Sequence, residues 1–120
     1  MGTILIVDDT LFIRTLLKNI FTSGGHTIAG EAADGENAVV KYKELKPDLV
    51  TMDVIMPKMN GIESLKAIKR IDPNARVIMC TAVGQEQMVK LAVRSGARGY
   101  IVKPFQASKV LEEVNNVLMS

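Results

Sequence analysis

Apolar residues recur along this chain in two alternating styles. Short unbroken runs appear at Thr3 to Val7, Thr27 to Gly30, Leu49 to Met52, Arg76 to Cys80 and Gly99 to Val102. Between them, apolar residues return every three or four positions. One such stripe is Ile13, Leu16, Leu17, Ile20 and Phe21, and the next is Ala38, Val39, Tyr42 and Leu45. Ile62, Leu65, Ile68 and Ile71 follow, then Met88, Leu91 and Ala92, then Val110, Leu111, Val114, Val117 and Leu118. Runs of the first kind predict strands buried on both faces, and stripes of the second predict amphipathic helices. Gly24-Gly25, Pro47, Asp72-Pro73-Asn74 and Gly96 close the helices, while Asp34-Gly35 and Asn60-Gly61 read as turns. The strand at Thr27 to Gly30 is the weakest. Strand and helix alternate five times with short connections, so the pattern predicts an α/β fold: a parallel sheet with helices on both faces.

Composition adds little except exclusions. The 120 residues are 48% hydrophobic and 23% charged, as in an ordinary globular chain, and one domain over residues 1–120 is expected. Fifteen basic residues against thirteen acidic ones leave a formal net charge of +2. With no Lys/Arg block, that balance argues against a nucleic-acid partner. No apolar run approaches the ~18 residues of a membrane span. The apolar N-terminus runs straight into Asp8-Asp9, unlike a signal peptide, and Ile6 stands where a Met-Gly myristoylation site needs Ser or Thr. The single cysteine, Cys80, forms no internal disulfide and suits a reducing compartment. These features predict a cytoplasmic monomer that does not bind membranes.

The chemistry lies where the predicted strands end. The first ends at Asp8-Asp9, the third at Asp53, the fourth at Thr81 and the fifth at Lys103. In a parallel open sheet these ends share one edge, the usual ligand-binding edge. Two carboxylates roughly 5 Å apart repel by ~3 kcal/mol at an effective dielectric of about 20. One ammonium cannot balance three of them, so the edge should recruit a cation. An all-oxygen donor set with few carboxylates favours Mg2+ over Ca2+ or Zn2+. With a cation and Lys103 beside it, Asp53 is a plausible nucleophile towards phosphorus.

Each residue also has a plainer reading. Asp8-Asp9 could cap a helix, Asp53 could serve a turn, Thr81 could bond backbone, Lys103 could be a surface lysine, and Tyr100 an ordinary strand aromatic. Cys80 reads as core, His26 as a polar loop residue, and the seven methionines as packing, with Met56 and Met59 able to shape the mouth of the site. What outweighs the plainer readings is the joint placement at four strand ends.

Taken in order, Asp8-Asp9 after Ile4-Leu5-Ile6-Val7, Asp53 before Met56-Pro57, Asn60-Gly61, Thr81-Ala82, Gly96-Ala97 and Lys103-Pro104-Phe105 resemble a response-regulator receiver domain along essentially the whole chain. Tyr100, and a chain that ends soon after the last stripe, make it most similar to the stand-alone chemotaxis regulators. The resemblance implies a flavodoxin-like five-stranded sheet of order 2-1-3-4-5. It implies Asp53 as phosphoacceptor. Asp9, Asp53 and the backbone carbonyl of Ile55 would ligate Mg2+ directly, and Asp8 would act largely through water. Lys103 would pair with a phosphoryl oxygen, Thr81 and Tyr100 would be switch residues, and the Lys103-Pro104 bond would be cis. The implied partners are a histidine kinase as phosphodonor, a motility-switch or adaptor protein, and a phosphatase. The fourth helix, fifth strand and fifth helix, roughly Gln85 to Leu118, would form the output face. Such a protein is no enzyme beyond promoting its own phosphorylation and autodephosphorylation. Ile55 and Val83 are apolar where relatives often carry polar groups, and Gln106 is a poor helix cap. Two other readings are a receiver in a phosphorelay or outside motility, and an aspartyl-nucleophile phosphatase. The latter wants Asp-x-Asp on its first strand, whereas here the acids are adjacent.

Overall fold

A computed structural model of the chain describes residues 2–120. The elements are β1 (Thr3–Val7), α1 (Leu11–Ser23), β2 (Thr27–Ala32), α2 (Gly35–Leu45), β3 (Leu49–Asp53), α3 (Gly61–Ile71), β4 (Val77–Ala82), α4 (Glu86–Arg94), β5 (Gly99–Lys103) and α5 (Ala107–Met119). The strands lie in the order β2-β1-β3-β4-β5, every neighbouring pair parallel, as the resemblance implied.

Strand side chains alternate between two cores. Leu5, Val7, Val50, Met52, Val77 and Met79 pack with residues of α2 and α3 and with Ala92 of α4. Ile4, Ile6, Leu49, Ile78, Cys80 and Ile101 pack with Leu17, Ile20 and Phe21 of α1 and Val110, Val114 and Val117 of α5. A period of two along each strand therefore assigns Thr51 and Asp53 to the face of Leu49, and Lys103 to the face of Ile101. Deep burial holds this register, because a one-residue slip would exchange the two faces. Phe21 is fully buried, and truncating it to alanine would cost about 3–5 kcal/mol.

Several sequence expectations need adjustment. β2 runs to Ala32, not Gly30, because Glu31 and Ala32 pair with Ile6 and Val7 of the central strand. β4 starts at Val77 and runs one residue past Thr81. Asp34-Gly35 and Asn60-Gly61 start helices: Asp34 caps α2 by accepting from the Asn37 amide, and Asn60 with Glu63 forms a capping box on α3. The glycines are needed for approach, since a β-carbon on Gly35 would collide with the Met59 carbonyl and one on Gly61 with the Asp53 carbonyl. Leu45, Ile71 and Leu91 are more than a third exposed, and Ala92 is the buried residue of α4. Met52, Met56 and Met79 are buried as packing residues, but Met119 is exposed, and Met1 lies outside the described residues.

His26 does stand in the loop between α1 and β2, but it is turned inward and away from water. It is buried, its Nδ1 accepts from the Gly2 amide at 3.2 Å, and its Nε2 lies 3.0 Å from Asn115 Oδ1. The two contacts define the tautomer, with the proton on Nε2, and tie the start of β1 to α5.

Candidate functional site

The C-terminal ends of β1, β3 and β5 bring Asp8, Asp9, Asp53 and Lys103 to one edge. Carboxylate oxygens of the three aspartates lie within 4.8 Å of one another. Lys103 Nζ sits 3.3 Å from Asp8 Oδ2 and 3.5 Å from Asp53 Oδ2. The Lys103-Pro104 bond is cis.

The backbone around these groups is tightly held. The Asp8 amide donates to Ala32 O at 3.1 Å, extending the β1–β2 ladder by one bond. Asp8 Oδ1 accepts from the Thr10 amide at 2.9 Å, which closes an Asx turn. Asp8 therefore organises the loop but does not cap α1; the N-cap is Thr10, and its side chain makes no capping bond. Asp8 is buried and Asp9 exposed. Asp53 ends β3 opposite Cys80, and the Val54 amide carries the ladder one step further by donating to Cys80 O at 3.2 Å.

Charge at this edge is unbalanced. Oxygens within 4.8 Å of one another repel by at least ~3.5 kcal/mol per pair at an effective dielectric of about 20. Burial, then the Asp8 carboxylate, push the Asp53 pKa from 3.8 up to about 6, against the pull of Lys103. Burial works to lower the Lys103 pKa, but Asp53 and Asp8 overcome it and hold the ammonium above its ordinary value. Burial, together with Asp53 and Asp8, holds the Cys80 thiol well above its usual range, so Cys80 stays a neutral core residue. Three hard oxygen donors with two uncompensated negative charges fit a divalent cation.

Thr81 is buried at the end of β4. Tyr100 is about half exposed on β5, and both line a cleft of about 320 Å³ with Val83, Glu86, Val89 and Lys90. Ile55 lies in the loop after β3, its side chain 60% exposed. Val83, 83% exposed, follows β4, and the exposed Leu11 and Phe12 open α1. The segments leaving the site are thus rimmed by apolar side chains.

Two features have no counterpart in the sequence reading. Arg14 of α1 donates from its guanidinium to Asp8 O at 2.7 Å while its Nε meets Glu31 Oε1 at 3.1 Å. Gln85, at the N-cap of α4, accepts from the Ala82 amide through Oε1 at 2.7 Å and fixes the turn after β4. A polar residue early in each helix was the one available signal, and it does not name a partner.

The family profile described as response regulator receiver domain matches residues 4–115. The chemotaxis protein CheY of Thermotoga maritima is 57% identical over 114 residues, covering 95% of each chain. CheY of Bacillus subtilis is 55% identical over 115 residues, covering 96% of each. Among solved structures, the CheX-CheY-BeF3-Mg complex from Borrelia burgdorferi superposes with a TM-score of 0.94 at 49% identity. It covers 98% of this chain and 90% of that one.

Proposed function

The chain belongs to the response regulator receiver family and is closely related to the CheY chemotaxis regulators, and from that premise we propose that it is a phosphorylation-driven switch whose phosphoacceptor is Asp53. The observation that carries this is the cluster of Asp8, Asp9 and Asp53 against the single ammonium of Lys103.

In this reading a histidine kinase presents a phosphohistidine. An Asp53 carboxylate oxygen attacks phosphorus, the P–N bond breaks, and the imidazole leaves with the bonding pair and takes up a proton. The product is an acyl phosphate on Asp53. At neutral pH a carboxyl group with a pKa of about 6 is mostly ionised, as a nucleophile must be. Lys103, already 3.5 Å from Asp53, pairs with a phosphoryl oxygen. Asp9, Asp53 and the Ile55 carbonyl would hold Mg2+, with Asp8 acting largely through water, as in the family. The ion supplies positive charge for the phosphoryl oxygens, and the Borrelia relative was crystallised with magnesium and BeF3. Autodephosphorylation is water attack on the same phosphorus, so the protein turns over no substrate but its own acyl phosphate.

The phosphoryl group brings charge and strong acceptor oxygens. Thr81 at the β4 end moves to donate to it, and Tyr100 turns into the space that Thr81 leaves. Support for the pairing is that both line one cleft and that Tyr100 starts half exposed. The changed face, α4 with β5 and α5, then binds a motility-switch or adaptor protein; a CheX-like protein is one such candidate partner. The test is incubation with acetyl phosphate and Mg2+ followed by intact-mass measurement. Wild type gains one phosphoryl mass and Asp53→Asn gains none. No adduct on wild type, or an undiminished one on the variant, defeats the proposal.

A further inference from the structure

Asp9 is the exposed member of the acidic cluster, and among the described residues no ion pair or backbone amide holds its carboxylate; its one polar contact there is with its neighbour Thr10, 3.5 Å away. Its position is therefore set by the backbone on either side. That backbone is fixed at Asp8 and Thr10. The Asp8 amide is pinned to β2, Asp8 Oδ1 holds the Thr10 amide, and the Asp8 carbonyl is held by Arg14 at 2.7 Å. Arg14 is itself restrained. Its Nε bonds Glu31 Oε1 at 3.1 Å, and Lys18, one turn further along α1, pairs with Glu31 Oε2 at 2.6 Å. The Arg14 and Glu31 side chains are only 16% and 27% exposed. Glu31 is set in turn by β2, where it pairs with Ile6. The N-terminus of α1 has neither a side-chain cap nor an acidic residue in its first turn, so of the side chains of α1 it is Arg14 that reaches back to hold the Asp8 carbonyl.

We propose that Arg14, gripped by Glu31, is a positioning residue that aims the Asp8-Asp9 pair, so that divalent-cation affinity depends on a guanidinium whose contacts at this loop are to backbone. This rests on the reading of the acidic cluster as a Mg2+ site. Backbone and outer-shell partners of this kind commonly change metal affinity by about 10–100-fold.

The sign of the effect separates positioning from charge. Arg14 is a cation near a cation site, so removing its charge should by Coulomb repulsion alone tighten Mg2+ binding. Loss of aim should weaken it. The experiment is Mg2+ titration of the full chain, followed by NMR at the Asp9 and Asp53 amides, for wild type, Arg14→Gln and Arg14→Lys. Both variants should bind Mg2+ roughly 10-fold more weakly, and hydrogen exchange at the Thr10 amide should speed up without metal. Urea unfolding in EDTA establishes that each variant is folded, and Arg14→Lys, which keeps the charge and the aliphatic stem, decides should Arg14→Gln not fold. Unchanged or tighter binding in a folded variant overturns the role of Arg14 alone. A wild type that binds no Mg2+ overturns the metal-site reading and this inference together.

Discussion

Replacing Asp53 with asparagine should stabilise the metal-free protein even though it removes the proposed phosphoacceptor. Asparagine has the size of a protonated aspartate and no charge. In the fold, burial and the Asp8 carboxylate disfavour the Asp53 anion by more than Lys103 favours it, which moves its pKa from 3.8 to about 6. That displacement corresponds to about 3 kcal/mol between the charged and neutral forms. Solvent at the open edge screens part of it, leaving roughly 1–2 kcal/mol. For a chain of this length the gain is a rise in Tm of roughly 4–10 °C. The sign with pH follows. Below 3.8 the carboxyl is protonated in both folded and unfolded chains, so wild type carries no penalty. As pH rises to about 6 the unfolded chain ionises first, and the wild-type deficit opens to its full value. The assay is thermal and urea unfolding of both proteins in EDTA from pH 4 to 8. In Mg2+ the order should reverse, since a hundredfold excess over Kd adds about 2.7 kcal/mol to the species that binds. An asparagine variant no more stable than wild type in EDTA at pH 7.5 would refute the reasoning.

Three further outcomes are expected. Lys103→Met leaves three carboxylates with no ammonium, so the metal-free fold should lose roughly 1–3 kcal/mol in urea titration and acetyl phosphate labelling should fall at least tenfold. Val83→Glu places a polar group on the exposed rim where none now aligns a water, so the acyl phosphate should hydrolyse several-fold faster; equal half-lives would count against this role for the rim. Thr51→Val removes a fully buried hydroxyl that has no hydrogen-bond partner among the described residues, two residues before Asp53 on the same face. Denaturant midpoints should show a gain of about 1 kcal/mol, with labelling unchanged.

The sheet and the acidic edge were legible because each chemical group terminates an apolar run. Asp8, Asp53 and Lys103 stand where a buried strand ends, and parallel strands end together. What stayed hidden depends on pairs remote in sequence. His26 is buried by Asn115, 89 residues away, and a glycine pair beside a histidine gives no hint of it. Arg14 and Glu31 meet because α1 crosses β2, and each alone reads as a surface charge. The last two residues of β2 leave no apolar signature, because Glu31 interrupts the pattern while its backbone still pairs. Leu91 is exposed because α4 is apolar on more than one side, as Val89, Leu91 and Val93 attest, and periodicity alone does not choose which side turns inward.

The start of α3 is locked onto the acid it follows. Gly61 presses against the Asp53 carbonyl, its amide donates to Val54 O at 2.8 Å, and Ser64 Oγ anchors the same turn to Gly35 O at 2.9 Å. Asp53 thus has a wall behind it, made of backbone that close packing will not let yield. A side chain introduced at Gly61 would drive into the Asp53 carbonyl, so the first residue of α3 doubles as the gauge that sets where the acid's backbone can stand.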